Sequence, residues 1–272
     1  MTNIADVSDP IASPLRNGWE PDTPPGDTIA RQALDALIER ARSAATAVGA
    51  PWDDDGHVAM ADLSLPGLFG NHAMVRRPGA VERSVDRCES FFPPSRPYLL
   101  WSPFPTGDLH HRGLEAVGHP PLMARPAASG RAAGPPELEI TAVTSDVELA
   151  EFERTLIAAY PLDEWVPLAA GTAFPASVLR SGALRYWLGR VDGVPVATAS
   201  TVSVEGLNFV EWVSCRAADR GHGYGAAMTE AAATAEPGQP AALLASDDGR
   251  SVYARLGFLA VCRWTLWWRP PR

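Results

Sequence analysis

The chain has 272 residues, 46% of them hydrophobic, with a formal net charge of −9 and a pI near 5.1. That is enough apolar material for one large domain or two of ordinary size, and the acidic balance argues against nonspecific nucleic-acid binding. No apolar run approaches the roughly 18 residues of a membrane span, and the three scattered cysteines, Cys88, Cys215 and Cys262, lack disulfide-framework or zinc-ligand spacing, so no metal site is expected.

Residues 1–26 are rich in Pro, Asp and Ser and read as an irregular arm. They lack the basic n-region of a secretion signal, so a cytoplasmic protein is expected. Ile29, Ala33, Leu37 and Ala41 then recur at helical spacing, with Asp27 or Thr28 as cap. Residues 57–79 read as strands broken by Pro66 and Gly67, 80–92 as a helix and 96–104 as a buried strand. A short helix over 108–119 and a strand over 120–126 close this half. The Ala/Gly/Pro-rich stretch 124–139 has no periodicity, which sets a linker at 127–136 between domains at 27–126 and 137–272.

The second half restarts with a strand at 137–143 and a helix at 145–160, where Ser145 and Glu148 form a capping box. A short helix over 173–181 follows. Strands at 184–193 and 194–206 flank Asp192-Gly193, a strong hairpin signal. A strand over 207–215 leads into "DRGHGYGAAM" and a helix over 223–235. The strand 241–246, a helix over 249–257 and a last strand over 258–269 complete the chain. On that strand Trp264, Leu266 and Trp268 share one face and Trp267 takes the other, to pack a core and an interface between halves or between the protomers of a homodimer.

Three glycines opening a helix cost about 1 kcal/mol per helical position relative to alanine, and an anion at the unpaired helix N–H groups would offset that. A phosphate-binding P-loop fails, because Ala226-Ala227 stand where Lys-Ser or Lys-Thr belongs. A dinucleotide fingerprint matches Gly221, Gly223 and Ala226, with Asp247 about 20 residues on. Too little chain follows Asp247 for a doubly wound sheet, and the strands upstream form an antiparallel meander.

Arg220-Gly221-His222-Gly223-Tyr224-Gly225 resembles the R/Q-x-x-G-x-G/A loop of the GNAT superfamily of acyl-CoA N-acyltransferases. "LLASDDGRSVYARLGF", residues 243–258, is similar to a second segment of that superfamily. The two occur in order, separated by one helix and one strand, and the resemblance covers residues 137 to about 268. It implies an α/β (α+β) GNAT fold, a mixed and mostly antiparallel sheet flanked by helices. It also implies acetyl-CoA as co-substrate, its pyrophosphate on the backbone of Arg220, Gly221, His222, Gly223, Tyr224, Gly225 and Ala226. Strands four and five would splay apart around the acyl-CoA, with the pantetheine along Val213, Ser214 and Cys215. Ser246 would contact the cofactor or orient its loop.

The implied chemistry is direct transfer of an acetyl group to a primary amine of a small-molecule or peptide acceptor. Tyr253 falls on the position of the tyrosine that protonates or hydrogen-bonds to the departing CoA sulfur. For the general base the sequence offers Glu211 on strand four, Asp163 and Glu164 in "YPLDEW", His222 in the loop, or a water chain. Cys215 is read as structural. A non-catalytic acyl-CoA-binding regulatory or scaffolding protein is the alternative.

The first half repeats the order strand, helix, "A-V-G-H", strand, with Gly118 laid against Gly257 and Leu114 against Tyr253. It has no R-x-x-G-x-G loop between Asn71 and Phe92, only "VRRPGAVERSV" with its single glycine. This resembles tandem GNAT proteins whose N-terminal repeat is degenerate, and it would cover the acceptor side of the second domain.

Overall fold

Helix α1 (Ile29–Val48) starts at Thr28, whose hydroxyl accepts the Arg31 N–H, and stops at Gly49 in the left-handed conformation. Its apolar face, Ala33, Leu34, Leu37, Ile38 and Ala41, is buried. The structure is a computed structural model that describes Trp19 and residues 28–128, 134–160, 162–204 and 206–271. Apart from Trp19, which meets Phe104 edge-on at 4.6 Å, the expected arm at 1–26 lies outside the described residues.

After α1 come β1 (Trp52–Asp54), β2 (Val58–Ala61), β3 (His72–Val75), α2 (Val81–Phe91) and β4 (Tyr98–Ser102). The helix expected over 108–119 is instead a 3₁₀ turn at His110–Arg112 followed by strand β5 (Glu115–Gly118). Gly113, left-handed at φ 73°, ends the turn too early for a helix to form. Strand β6 (Pro121–Arg125) ends this half.

The second half contains β7 (Glu139–Ala142), α3 (Asp146–Ala159), β8 (Leu184–Val191), β9 (Val194–Val204) and β10 (Leu207–Cys215). It continues with α4 (Tyr224–Ala233), β11 (Ala241–Leu244), α5 (Asp247–Arg255), β12 (Leu259–Arg263) and β13 (Thr265–Arg269). The Ser145–Glu148 capping box closes reciprocally. Asp192 (φ 49°) and Gly193 (φ 77°) turn the β8–β9 hairpin with both residues at positive φ, as a type I′ turn requires. The short helix expected over 173–181 is a 3₁₀ segment, Ala176–Ser181.

Among the described residues two sheets form, in the orders β1-β2-β3-β4-β13-β5 and β12-β6-β11-β10-β9-β8-β7. They are mixed and mostly antiparallel, with parallel pairs only at β3/β4 and β10/β11. The last strand of each half sits in the sheet of the other: β6 lies between β11 and β12, and β13 between β4 and β5. The strand expected over 258–269 is therefore two strands, divided at the fully buried Trp264. The expected linker follows β6, so the two parts of the chain on either side of it share both sheets.

Each exchanged strand ends in the same five-residue pattern, L-x-x-R-P, with three positions in common: Leu122 to Pro126 and Leu266 to Pro270. Arg125 pairs through both terminal nitrogens with Glu230 of α4, donates to the Leu256 carbonyl at 3.1 Å, and covers the Phe258 ring at 5.0 Å. Arg269 donates to the carbonyls of Pro93 and Arg96 and covers the Tyr98 ring at 4.6 Å. Each arginine thus fixes its strand to the half that receives it.

The exchange also resets the internal alignment. Gly113 and Gly257 both stand left-handed just before an outer strand, β5 or β12, and each is followed by a buried residue, Leu114 or Phe258. Gly118 is not left-handed, so the conformation of Gly257 recurs at Gly113, four residues after Leu109.

Candidate active site

Parallel strands β10 and β11 pair only at Asn208–Ala241 and Phe209–Ala242. Beyond Phe209 they diverge, because β11 continues along β6 while β10 follows β9 through a bulge. The bulge places Trp212 and Val213 between Glu211, opposite Ser200, and Ser214, opposite Thr198. Trp212 takes φ 50°, a conformation that costs a bulky residue on the order of 1–3 kcal/mol. Thr198 holds it there, donating its hydroxyl to the Trp212 carbonyl at 2.9 Å and lying 2.7 Å from the Ser214 hydroxyl. Arg216 donates its N–H to Val196 of the strand β9 side. By the alternation of an antiparallel ladder, the backbone groups of Cys215 point the other way, to the opened edge, where its carbonyl accepts from Arg220 Nε at 3.3 Å.

The chain then passes a 3₁₀ turn at Ala217–Asp219 and reaches α4 through Gly221 (φ 87°) and Gly223 (φ 84°). Both need the left-handed region that glycine supplies. No side chain caps α4, so the N–H groups of its first turn face outward at the positive end of the helix dipole. Gly225 differs. It lies within the helix, and a Cβ there would meet nothing within 4 Å. Neither backbone conformation nor packing within the chain requires glycine at 225.

On the other side of the opening, α5 starts at Ser246, whose hydroxyl accepts the Gly249 N–H at 3.2 Å. A Cβ on Gly249 would fall 2.7 Å from the Tyr253 ring, so the absence of one lets that ring settle against the first turn. Tyr253 is buried and edge-on to Phe258 at 6.2 Å. Burial, with a smaller contribution from Tyr160, pushes its phenol up to about 12, so it holds its proton throughout the neutral range.

Below the bulge lies a cavity built by both halves. Arg40 of α1, Phe69 of the β2–β3 loop, and Glu211 and Trp212 of β10 line both of its two adjoining lobes. The Trp212 indole is ringed by Phe69, Tyr160, Trp165 and Phe174, each with its ring centroid between 5.9 and 6.0 Å away. Arg40 Nε stands 3.4 Å from Glu211 Oε2, both side chains 12% exposed. Burial raises the Glu211 carboxyl above its ordinary range, and the Arg40 charge opposes that only in part. His72, buried on the same wall, accepts the Trp101 indole N–H at 3.2 Å; burial and then Arg40 hold it neutral.

Solved structures with this architecture are known. A GCN5-related N-acetyltransferase from Kribbella flavida matches with TM-score 0.59 at 22% identity, over 87% of this chain and 96% of that one. A Novosphingobium aromaticivorans protein assigned to the GNAT acetyltransferases matches with TM-score 0.56 at 18% identity, over 87% and 99% of the two chains. A third, a GCN5-related N-acetyltransferase from Sphaerobacter thermophilus, matches with TM-score 0.50 at 12% identity, over 78% and 76%. The chain has the GNAT fold. Its match to the Kribbella protein reaches into both halves, since it covers 87% of the sequence. No protein-family model matches the sequence, and no curated protein matches it.

Within this GNAT fold the residues expected to act are distributed as follows. Val213, Ser214 and Cys215 lie on the opened edge, Gly221 to Ala226 at the start of α4, and Tyr253 on α5. The Arg220 side chain folds back onto the carbonyls of Cys215 (3.3 Å) and Ala159 (3.2 Å), leaving its backbone facing the loop. His222 is exposed, stacked on Tyr224 at 5.4 Å. Cys215 gives its thiol to the Asp219 carbonyl at 3.2 Å, and burial raises that thiol, so it braces the loop. Ser246 is a helix cap. Asp163 and Glu164 are exposed on a 3₁₀ turn outside the cavity lining, and of the carboxylates expected as bases Glu211 alone reaches it.

Arg40, Phe69, His72, Tyr160 and Trp212 are cavity residues that the sequence did not single out. Arg40 had a signal, a charge three residues after Leu37 on the buried face of an amphipathic helix. Among the described residues no group of His, Cys, Asp and Glu could hold a metal, and no helix is long and apolar enough to cross a membrane.

Proposed function

We propose that the protein is a cytoplasmic N-acetyltransferase that moves an acetyl group from acetyl-CoA directly to the amine of a small-molecule acceptor. The observation that carries this reading is the start of α4. An uncapped helix N-terminus, reached through two left-handed glycines, stands beside an unpaired strand edge, and Gly225 keeps its surface bare with no demand from the fold. A pyrophosphate is an anion of the right kind for those N–H groups, and a pantetheine can add to the free edge of β10 as an extended strand does. Tyr253 would donate its proton to the leaving sulfur. Glu211, facing the cavity from the same strand, would take a proton from the amine.

The first half reads as a degenerate copy of the second. Its strands β2, β3, β4 and β5 repeat the sheet positions of β9, β10, β11 and β12, each set with a foreign strand inserted before its last member. At the place of the glycine loop it has Arg76 to Ala80, with the single left-handed Gly79. Its role in this reading is to supply α1 and the β2–β3 loop as the acceptor wall.

The test is a thermal-shift titration with acetyl-CoA, CoA and NAD on the wild type and on Gly223→Trp. A ligand at 100 times its Kd adds about 2.7 kcal/mol. Stabilisation by the CoA species alone, lost in the variant, is expected. Stabilisation by NAD, or by nothing, rejects the proposal.

Gly225→Ala separates structure from binding at one residue. The free protein should gain up to about 1 kcal/mol from helix propensity, while acetyl-CoA binding should weaken by about tenfold or more. A more stable protein with unchanged affinity would show that Gly225 does not face the ligand. For the pH dependence, burial raises Glu211, and its ionised form is the base. The acidic limb of kcat/KM should therefore fall above the ordinary carboxylate value of 4.5, activity rising with pH through it, and should vanish in Glu211→Gln. A Tyr253 phenol near 12 adds no descending limb below that pH.

A further inference from the structure

Arg40 and Glu211 touch at the wall of the cavity without satisfying each other. Their 3.4 Å contact is an ion pair, yet Nε and Nη2 of Arg40 and Oε2 of Glu211 are all buried with no hydrogen-bond partner. Buried charges normally have their donors and acceptors filled, and leaving them open costs several kcal/mol. The shortage is two-sided. The guanidinium lacks acceptors, and the carboxylate lacks a donor.

The charge count restricts what could fill both. The other polar groups on the walls are His72, held neutral, the phenols Tyr160 and Tyr186, and Ser200, whose hydroxyl is spent on the Glu211 carbonyl at 3.3 Å. With Glu211 ionised, the cavity is neutral overall, with one charge of each sign. A simple cationic amine would satisfy Glu211 but set a second positive charge beside Arg40. An anion alone would do the reverse. A molecule with an ammonium and a carboxylate on adjacent carbons satisfies both and leaves the sum at zero.

The remaining surface is apolar, partly aliphatic, such as Leu63, Leu65 and Leu184, and partly aromatic, such as Phe69, Trp165 and Phe174. Such walls suit an apolar or aromatic side chain. We propose, resting on the acetyl-transfer reading above, that the acceptor is a free amino acid with an apolar or aromatic side chain, its carboxylate taken by the open donors of Arg40 and its amine presented to Glu211. The N-terminus of a peptide lacks the carboxylate next to its amine and does not meet the requirement. In the reaction the amine nitrogen bonds to the acetyl carbon as the carbon–sulfur bond breaks. Of the two protons the ammonium gives up, one ends on the CoA sulfur, delivered through Tyr253, and one leaves through Glu211 to solvent.

The experiment is calorimetry on the full chain saturated with CoA. The probes are L-phenylalanine, L-tyrosine, L-tryptophan, L-leucine and L-methionine, each paired with the amine that lacks its carboxylate, such as phenethylamine. At least one amino acid should bind about tenfold or more tighter than its paired amine. Arg40→Gln should erase that preference, as should Arg40→Gln/Glu211→Gln, which removes both charges and so keeps the fold free of an unpaired ion. Acetyl-CoA titrated into each protein tests the underlying reading separately, because Arg40 lies on the acceptor side. If acetyl-CoA binds and no amino acid is preferred to its amine, including the case where none of the ten binds, this inference is overturned and the transferase reading stands. If acetyl-CoA fails to bind the wild type, both fall.

Discussion

Replacing Tyr253 by Phe should lower kcat by about 10²- to 10⁴-fold, the usual contribution of a positioned general acid. Acetyl-CoA binding should barely change. The ring fills the space that Gly249 leaves and meets Phe258 edge-on, and phenylalanine retains both contacts. The loss should therefore lie in kcat and not in KM, the pattern of an interaction made only in the transition state. A thiolate leaves poorly unless it is protonated or hydrogen-bonded, and a phenol raised to about 12 by burial remains a donor at every working pH. A second arm follows from that. An acyl donor with a more acidic leaving thiol should lose less in Tyr253→Phe, because less help is needed at sulfur. Equal kcat in variant and wild type, with acetyl-CoA still bound, would remove Tyr253 from the chemistry and leave the cofactor site intact.

The side proposed to hold the cofactor was readable in the sequence because its requirements are local. Glycines at 221 and 223 answer a backbone need, Ser246 caps the helix it precedes, and the spacing from Ser246 to Tyr253 is set by one helix. Such signals lie within about ten residues of one another. The cavity proposed to take the acceptor was not readable, because its walls come from α1, the β2–β3 loop, Tyr160 past the end of α3, and the bulge of β10. No spacing in the chain brings Arg40 near Glu211. Trp212 reads as one more strand aromatic until the bulge turns it, and the residue that holds the bulge, Thr198, looks like an ordinary strand threonine.

The strand exchange escaped for a different reason. Patterning reports which residues are buried and in what period, and Leu122 and Met123 or Leu266 and Trp267 would be buried in either sheet. Only the partner differs. The repeat L-x-x-R-P was present at 122–126 and 266–270, but three shared positions out of five carry little weight until both arginines are seen doing the same task. The helix expected over 108–119 failed locally. Gly113 at left-handed φ cuts it after one 3₁₀ turn, and Glu115 to Gly118 extend as the outer strand.

The exchange carries the second large prediction. Arg125→Met should destabilise the protein by about 3–5 kcal/mol, with a fall in Tm on the order of 10 °C. Arg125 and Glu230 are 9% and 7% exposed at their side chains, so removing the guanidinium leaves a carboxylate buried without a partner, and the Leu256 carbonyl and the Phe258 face lose their cation too. The cost should then be mostly that of the abandoned charge. Arg125→Met/Glu230→Leu, which removes both, should recover most of it, and the double-mutant cycle gives the coupling directly. An exposed pair provides the scale: Arg42→Met, which breaks the Arg42–Glu39 contact on α1 with Arg42 51% exposed, should change stability by no more than about 0.5 kcal/mol. Because β6 is the strand on which β11 rests as it leaves β10, loosening it should also cost acetyl-CoA affinity, and the double variant should restore both together. A single-variant cost below about 1 kcal/mol would mean that the backbone ladder of β6 alone holds the halves together and that Arg125 adds no more than a surface ion pair.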